Sequence, residues 1–586
     1  MRFVREILLA AVCGTLTACG GGGDGGGSVN STPTPVPTPT PTISNLQNDQ
    51  TFAASGAVTN VALSLPDGMV QSTGAKGEPI SITYNAAGKS YTVQAAGGSQ
   101  AFLQTDARSQ RFAGETVYSK GGDTLTLVTT PYFGDGTSNR YVGMGYWQHN
   151  TVSGSTQQTD FRTFTFGFDT PAATLPRTGS AHWLTDVLGL LTTPGKELRV
   201  VQGNADFDVD FAASAFRLQG YLNENQVVST GGTSGALAIQ SGGLLSAGTG
   251  FNGPLSYQSS NGILHGTLNG QFYGPSADEI GASFTAQDNG AAISGALTGQ
   301  RSTRASTSDG IKNLTLTGPV TNELLRGPSA EMYATDDDAL SGFQQIAATV
   351  SAVSVNLTAN GVSSVGFNYQ YNINPQDIVA DGRTNFTTYK STVAGSPVTV
   401  SLYKVGAANQ ELALTYTSFV SWIWPRGPGN STLPGDTFDA NFATYGIRTP
   451  RDLLTNRTGT ATYDGVLYGR GASLAGTIYD LTGKSRFDVD FSAAQYTGSL
   501  DINGTTQSGN QTAIGHFTFG AAMGFGEMAE ADIAGPSVNS ARPHVIQPLF
   551  YGPSGQEIGA HFRFELNQTG TPESLALAGA AVAKAR

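Results

Sequence analysis

FYGPSADEIGASF, Phe272 to Phe284, returns near the end of the chain as FYGPSGQEIGAHF, Phe550 to Phe562. Both copies carry Phe, Tyr, Gly, Pro and Ser, then Glu, Ile, Gly, Ala and a closing Phe. Other landmarks recur in the same order at nearly the same spacing. Tyr141…Trp147 recurs as Tyr416…Trp422, Thr170-Pro171 as Thr449-Pro450, Arg177-Thr178-Gly179 as Arg457-Thr458-Gly459, and Phe207–Phe211 (FDVDF) as Phe487–Phe491. The chain therefore reads as a tandem duplication with a period far beyond that of a solenoid repeat. Each copy is long enough to bury its own core.

Every position of the repeated stretch has a structural use. Gly274-Pro275 and Gly552-Pro553 make a turn. Phe272, Tyr273, Phe550 and Tyr551 supply core bulk, and Gly281 and Gly559 permit close backbone approach. Glu279 and Glu557 are expected to be buried and satisfied by backbone amides. A catalytic carboxylate would need a partner group, and none recurs with them.

The flanking sequence alternates with period two, the signature of strands. Leu125 and Leu127 alternate with threonines, Val398, Val400 and Leu402 with Thr399, Ser401 and Tyr403, and the FDVDF copies with their aspartates. Such strands have one apolar and one wet face. Asn261-Gly262, Asn289-Gly290, Asn360-Gly361 and Asn503-Gly504 read as tight turns. Helical candidates are confined to Leu184–Leu191 and Ala339–Ala348. Within each copy the earlier part (51–175 and 316–454) is irregular, with aromatics gathered near its end. The later part (176–300 and 455–586) holds evenly spaced strands of the kind that close into a small barrel. A Gly/Ser/Thr-rich connector at 301–315 joins the copies.

Composition narrows the function. Charged residues are 13% of the chain and glycines number 77, which suits an exported all-β protein rich in turns. The net charge of −12, with no basic block, disfavours nucleic acid as a partner. Both cysteines, Cys13 and Cys19, lie in the first twenty residues, so the body has no disulfide, thiol nucleophile or cysteine metal site. The histidines show no metal-binding spacing. The only haem grouping worth naming is His149 with Tyr146 or Tyr141. Asp336-Asp337-Asp338 lacks calcium-loop spacing. Neither a hydrolase triad signature nor a phosphate loop is present. No enzyme, cofactor or metal site is expected.

Residues 1–18 read as a secretory leader, with Arg2 and Arg5 before a short apolar core. Leu16-Thr17-Ala18-Cys19 matches a bacterial lipobox, which makes Cys19 the expected lipid attachment. Residues 19–50 are a Gly-rich coil followed by a Thr-Pro spacer. A membrane-spanning barrel would also alternate, but a lipobox and the closing AVAKAR argue against one.

With lipobox, tether, two β-rich halves and FYGP-x3-E-x-G-x2-F in each, the chain resembles transferrin-binding protein B and its related surface lipoproteins in Gram-negative bacteria. The resemblance covers the chain from about residue 50. It implies an all-β fold of two homologous lobes, each an irregular β-rich handle plus a small soluble eight-stranded barrel. It implies outer-membrane, surface-exposed localisation and non-catalytic capture of an iron- or haem-bearing ligand for a TonB-dependent receptor. It also directs attention to N-lobe handle loops, where Tyr132, Phe133, Tyr141, Tyr146 and Trp147 are the candidate ligand contacts. The alternative use of these aromatics is to pack the handle against the barrel. The cysteine-free body departs from the disulfide-bearing host-protein binders, and a structural or adhesive surface lipoprotein is the alternative function.

Overall fold

The computed structural model describes residues 41–586 apart from 66, 109, 111, 133–136, 230–231, 304–313, 318–322, 328, 334–352, 359–360, 367–369, 394–395, 426–437, 456, 474–476, 525 and 568–573. Cys19, the leader and most of the tether lie outside the described residues, as do Phe133, Asn360, Asp336–Asp338 and Ala339–Ala348.

The first handle is an antiparallel sheet of eight strands. Their spatial order is Gly98–Phe102, Ser90–Ala95, Val70–Asn85, Gln50–Ser64, Thr156–Gly167, Val142–Ser153, Asp123–Val128 and Glu115–Lys120. The sheet curls until its edges approach, where Lys120 Nζ donates to the Ala101 carbonyl at 3.0 Å. Phe52, Ile82, Phe102, Leu125 and Trp147 pack together on one face. Because successive side chains alternate, Val61, Leu63, Met144 and Tyr146 lie on the other face and pack onto the first barrel.

That barrel runs from Ser180 to Ser302 in eight antiparallel strands, the last (Ala291–Ser302) pairing back onto the first (Ser180–Thr192). Phe207, Val209 and Phe211 point inward. Ring centroids of Phe207 and Phe251 lie 4.6 Å apart, and those of Trp183 and Phe272 5.5 Å. At these spacings an eight-stranded barrel is filled by its own side chains. The polarity is the reverse of a membrane barrel, whose lumen is polar. The outward Asp208 is met by His182 Nδ1 at 2.9 Å and Arg217 Nη2 at 3.0 Å. Burial opposes its ionisation, yet His182 and Arg217 hold its carboxyl below the ordinary value.

The second lobe repeats the plan. Its handle has a four-stranded sheet and a six-stranded one, the latter built on Phe386–Val393, Ser396–Tyr403, Thr417–Pro425 and Phe438–Gly446. Its barrel closes through eight strands from Thr460–Ser473 to Ser574–Ala585, with the short strand Glu527–Met528 added beside Gln511–Gly524. Phe487, Val489 and Phe491 again face inward, so the two FDVDF copies occupy equivalent places.

Two local expectations are corrected. Leu184–Leu191 is strand, within Ser180–Thr192. Val187 and Leu191 face the barrel interior while Leu188 and Leu190 face the handle. Burial on both faces erases the period-two signal. Asn503-Gly504 lies inside the strand Gln495–Thr506, beside a register shift at Ile502/Asn503. Asn289-Gly290 is the expected tight turn, with φ of 48° and 79°.

Candidate functional site

The repeated stretch clasps each handle to its barrel. Glu279 opens the strand Glu279–Asp288, and its carboxylate accepts the backbone N–H of Arg140 at 2.7 Å, Tyr141 at 2.8 Å and Val142 at 2.9 Å. Glu557 accepts those of Thr415, Tyr416 and Thr417 at 2.7, 2.8 and 2.9 Å. Both carboxyls are buried. Burial pushes both above their ordinary value, and the three amide donors oppose that without cancelling it. The turn that precedes each glutamate is held the same way twice: Thr170 Oγ1 donates to the Gly274 carbonyl and Thr449 Oγ1 to that of Gly552. A Cβ on Gly281 would sit 2.8 Å from Val142 and one on Gly559 3.0 Å from Thr417 and Thr444. Handle and barrel approach too closely there for any side chain.

This geometry decides what the candidate aromatics do. Tyr141 is buried against Val142 and Tyr273, with its ring over Gly274. Tyr416 is its counterpart over Gly552. Tyr146 is buried and stacked on Phe161 with centroids 6.0 Å apart. Trp147 faces the handle interior, its Nε1 donating to Asp123 Oδ1 at 2.8 Å. Tyr132 is half-buried: its N–H donates to Asp186 at 2.8 Å and its hydroxyl to Glu115 at 3.3 Å. Tyr132 is held against the barrel by its bond to Asp186, and the backbone at Thr137 and Arg140 is tied to the same barrel, Gln300 Nε2 donating to the Thr137 carbonyl at 2.9 Å and Arg140 N–H to Glu279. As exposed contact residues, Tyr141, Tyr146 and Trp147 are therefore corrected to packing residues. His149 pairs with Asp123 at 2.9 Å and projects from the opposite face of the strand to Tyr146, so the haem grouping is not assembled. Among the described residues no group of His, Cys, Asp or Glu is arranged to hold a metal ion.

Large apolar side chains are exposed elsewhere on the first handle. Leu103 follows an edge strand and is 49% exposed. Val152 ends the hairpin Val142–Gly167, at 50%, and Met69 ends the hairpin Gln50–Asn85, at 39%. These two hairpin ends are joined by Leu65 N–H donating to the Ser155 carbonyl at 2.8 Å. Sequence reading missed them because single apolar residues in turns carry no periodicity. A cleft of about 720 Å³, open to solvent, lies between the lobes and is lined by Phe216, Arg217, Leu314, Ile447, Arg448 and Pro553.

His561 occupies the position of Ser283, whose hydroxyl donates to the Ser55 carbonyl of the handle at 2.9 Å. The imidazole is buried, with neither ring nitrogen partnered among the described residues. Burial, reinforced by Arg563, pulls its pKa down to about 4. The neutral ring is thus the folded form. Its contribution is complete above its ordinary pKa of about 6.5 and is lost as pH falls through about 4, up to roughly 3 kcal/mol. Calorimetry between those pH values should show the second lobe losing stability, and His561→Ser should flatten that loss. An unchanged pH profile in the variant would contradict this account.

The family of C-lobe and N-lobe beta barrels of Tf-binding protein B matches this chain over residues 137–301, the segment carrying the Glu279 clasp and the first barrel. Over those residues the chain is similar to the transferrin-binding protein B barrels. Among solved structures, the chain is similar to transferrin binding protein B from Neisseria meningitidis serogroup B, at 16% identity and a TM-score of 0.25 over 91% of this chain and 99% of that one. It is similar to a double mutant of transferrin binding protein B from Haemophilus parasuis at 14% identity and 0.24, over 91% and 96%. A mutant from Actinobacillus pleuropneumoniae matches at 15% and 0.24, over 42% of this chain and all of that one. No curated protein sequence matches the chain.

Proposed function

We propose that the chain is an outer-membrane surface lipoprotein, anchored through acylated Cys19, that captures an iron- or haem-bearing ligand without catalysis and passes it to a TonB-dependent receptor. The observation that carries this reading is the handle clasped to a barrel that matches the transferrin-binding protein B family. Aromatic packing fills the first barrel, so capture falls to an outer surface. On the first handle that surface is apolar at Leu103, Val152 and Met69, and exposed apolar side chains are the ordinary anchors of a protein contact.

The full chain, immobilised, should retain an iron-loaded carrier protein, a coloured haem-bearing ligand or an outer-membrane receptor from detergent extracts. Leu103→Glu with Val152→Glu should reduce that retention at least about tenfold, a loss of about 1.4 kcal/mol or more. Retention of glycans or matrix alone, with expression indifferent to iron, would favour the adhesive alternative.

A further inference from the structure

The clasp turn does something in the second lobe that it does not do in the first. Pro553 rests on the first barrel at Gly242, where an added Cβ would lie 3.0 Å from the Pro553 carbonyl and 3.4 Å from its Cβ. Gly242 is buried by this contact and sits opposite Arg217 in the strand register. Both halves of the contact recur through the duplication. The donor turn recurs as Gly274-Pro275-Ser276, with Pro275 exposed. The acceptor recurs as Gly520, exposed and opposite Thr497 in the same register that sets Gly242 opposite Arg217. One donor–acceptor pair is used within the chain. The complementary donor is open on the first lobe and the complementary acceptor on the second.

We infer that Pro275 of one chain seats on Gly520 of a second copy, repeating between molecules the contact that joins the lobes within one. The interface is heterologous, head to tail, and extends rather than closing unless the rotation happens to complete a ring. Glycine at the acceptor is what lets a proline ring reach the strand backbone, and the second barrel keeps glycine there although, among the described residues, it is exposed. A single turn on a strand pair is a small patch by the standard of stable interfaces, so the association is weak in dilute solution and grows with concentration.

Because the body holds no cysteine, introduced thiols in a Cys13→Ser, Cys19→Ser full chain are unambiguous. Gly242→Cys with Pro553→Cys should close a disulfide within one chain, since their Cβ separation is near the usual 3.5–4.5 Å or so. A mixture of Pro275→Cys chains and Gly520→Cys chains should cross-link at least about tenfold more than Pro275→Cys with Ser508→Cys, an exposed loop control. In sedimentation, Gly520→Trp and Pro275→Arg chains should each be monomeric alone and form a dimer when mixed, because each keeps one intact half. Failure of the intrachain disulfide, equal cross-linking of matched and control pairs, or no dimer on mixing would overturn the proposal.

Discussion

Glu279→Ala is expected to destabilise the first lobe by roughly 3–6 kcal/mol, and Glu557→Ala the second by a similar amount. Each substitution leaves three backbone N–H groups at the handle–barrel seam without their acceptor, two of them buried, at roughly 1–3 kcal/mol per orphaned buried donor. The opened space lies between Tyr141 and the strand Glu279–Asp288, or Tyr416 and Glu557–Asn567, where the turn glycines leave no room to rearrange. Glu279→Gln should cost less, since one oxygen survives, but its amide NH2 must face a backbone donor. Calorimetry of the full chain, with limited proteolysis reporting release of the handle, checks this. An Ala variant with an unshifted first-lobe transition would show that the carboxylate is not what seats the handle. Because the two clasps lie in separate lobes, the double variant should lose the sum of the two.

Arg162→Ala should cost the first handle roughly 3–5 kcal/mol. Its Nε donates to Glu78 at 2.7 Å and its Nη2 to Asp160 at 3.1 Å, and its guanidinium lies 4.8 Å from the Trp147 ring centroid. Both Arg162 and Glu78 are buried, with side-chain exposures of 5% and 6%. Removing the cation leaves the buried Glu78 carboxylate without its counter-charge. Replacing both partners, as Glu78→Leu with Arg162→Met, should recover most of the loss, because the desolvation cost of the pair goes with its attraction. Urea unfolding read through Trp147 fluorescence measures both. Equal losses in the single and double variants would mean that packing, not charge, sets the value of this site.

The sequence reached far into this fold because the information was written twice. FDVDF shows its inward and outward faces by alternation alone, and the recurrence of FYGP with a glutamate three residues beyond its serine marks a structural carboxylate. The chemistry was legible where one residue type has few uses: a buried Glu without a partner side chain leaves backbone amides as its acceptor's only company. Elsewhere the local signal misled. LTDVLGLL has leucines on both faces because it is sandwiched between barrel interior and handle, so its period resembles neither strand nor surface. The aromatic loop at Tyr132 looked presentable because turns with aromatics usually are. The inward placement of Tyr132 and the seating of Thr137 and Arg140 depend on Asp186, Gln300 and Glu279, all far away in sequence.

By itself the sequence determined the duplication, the all-β class and the identity of the clasp residues, since strand alternation and turn chemistry are local properties of the chain. Only the tertiary structure decided which faces meet. It buried Tyr141, Tyr146 and Trp147, filled the barrels with their own rings, and brought Pro553 onto Gly242 while leaving Pro275 and Gly520 open. Those outcomes depend on contacts between residues on different strands, as far apart in the chain as Gly242 and Pro553, which no local pattern encodes.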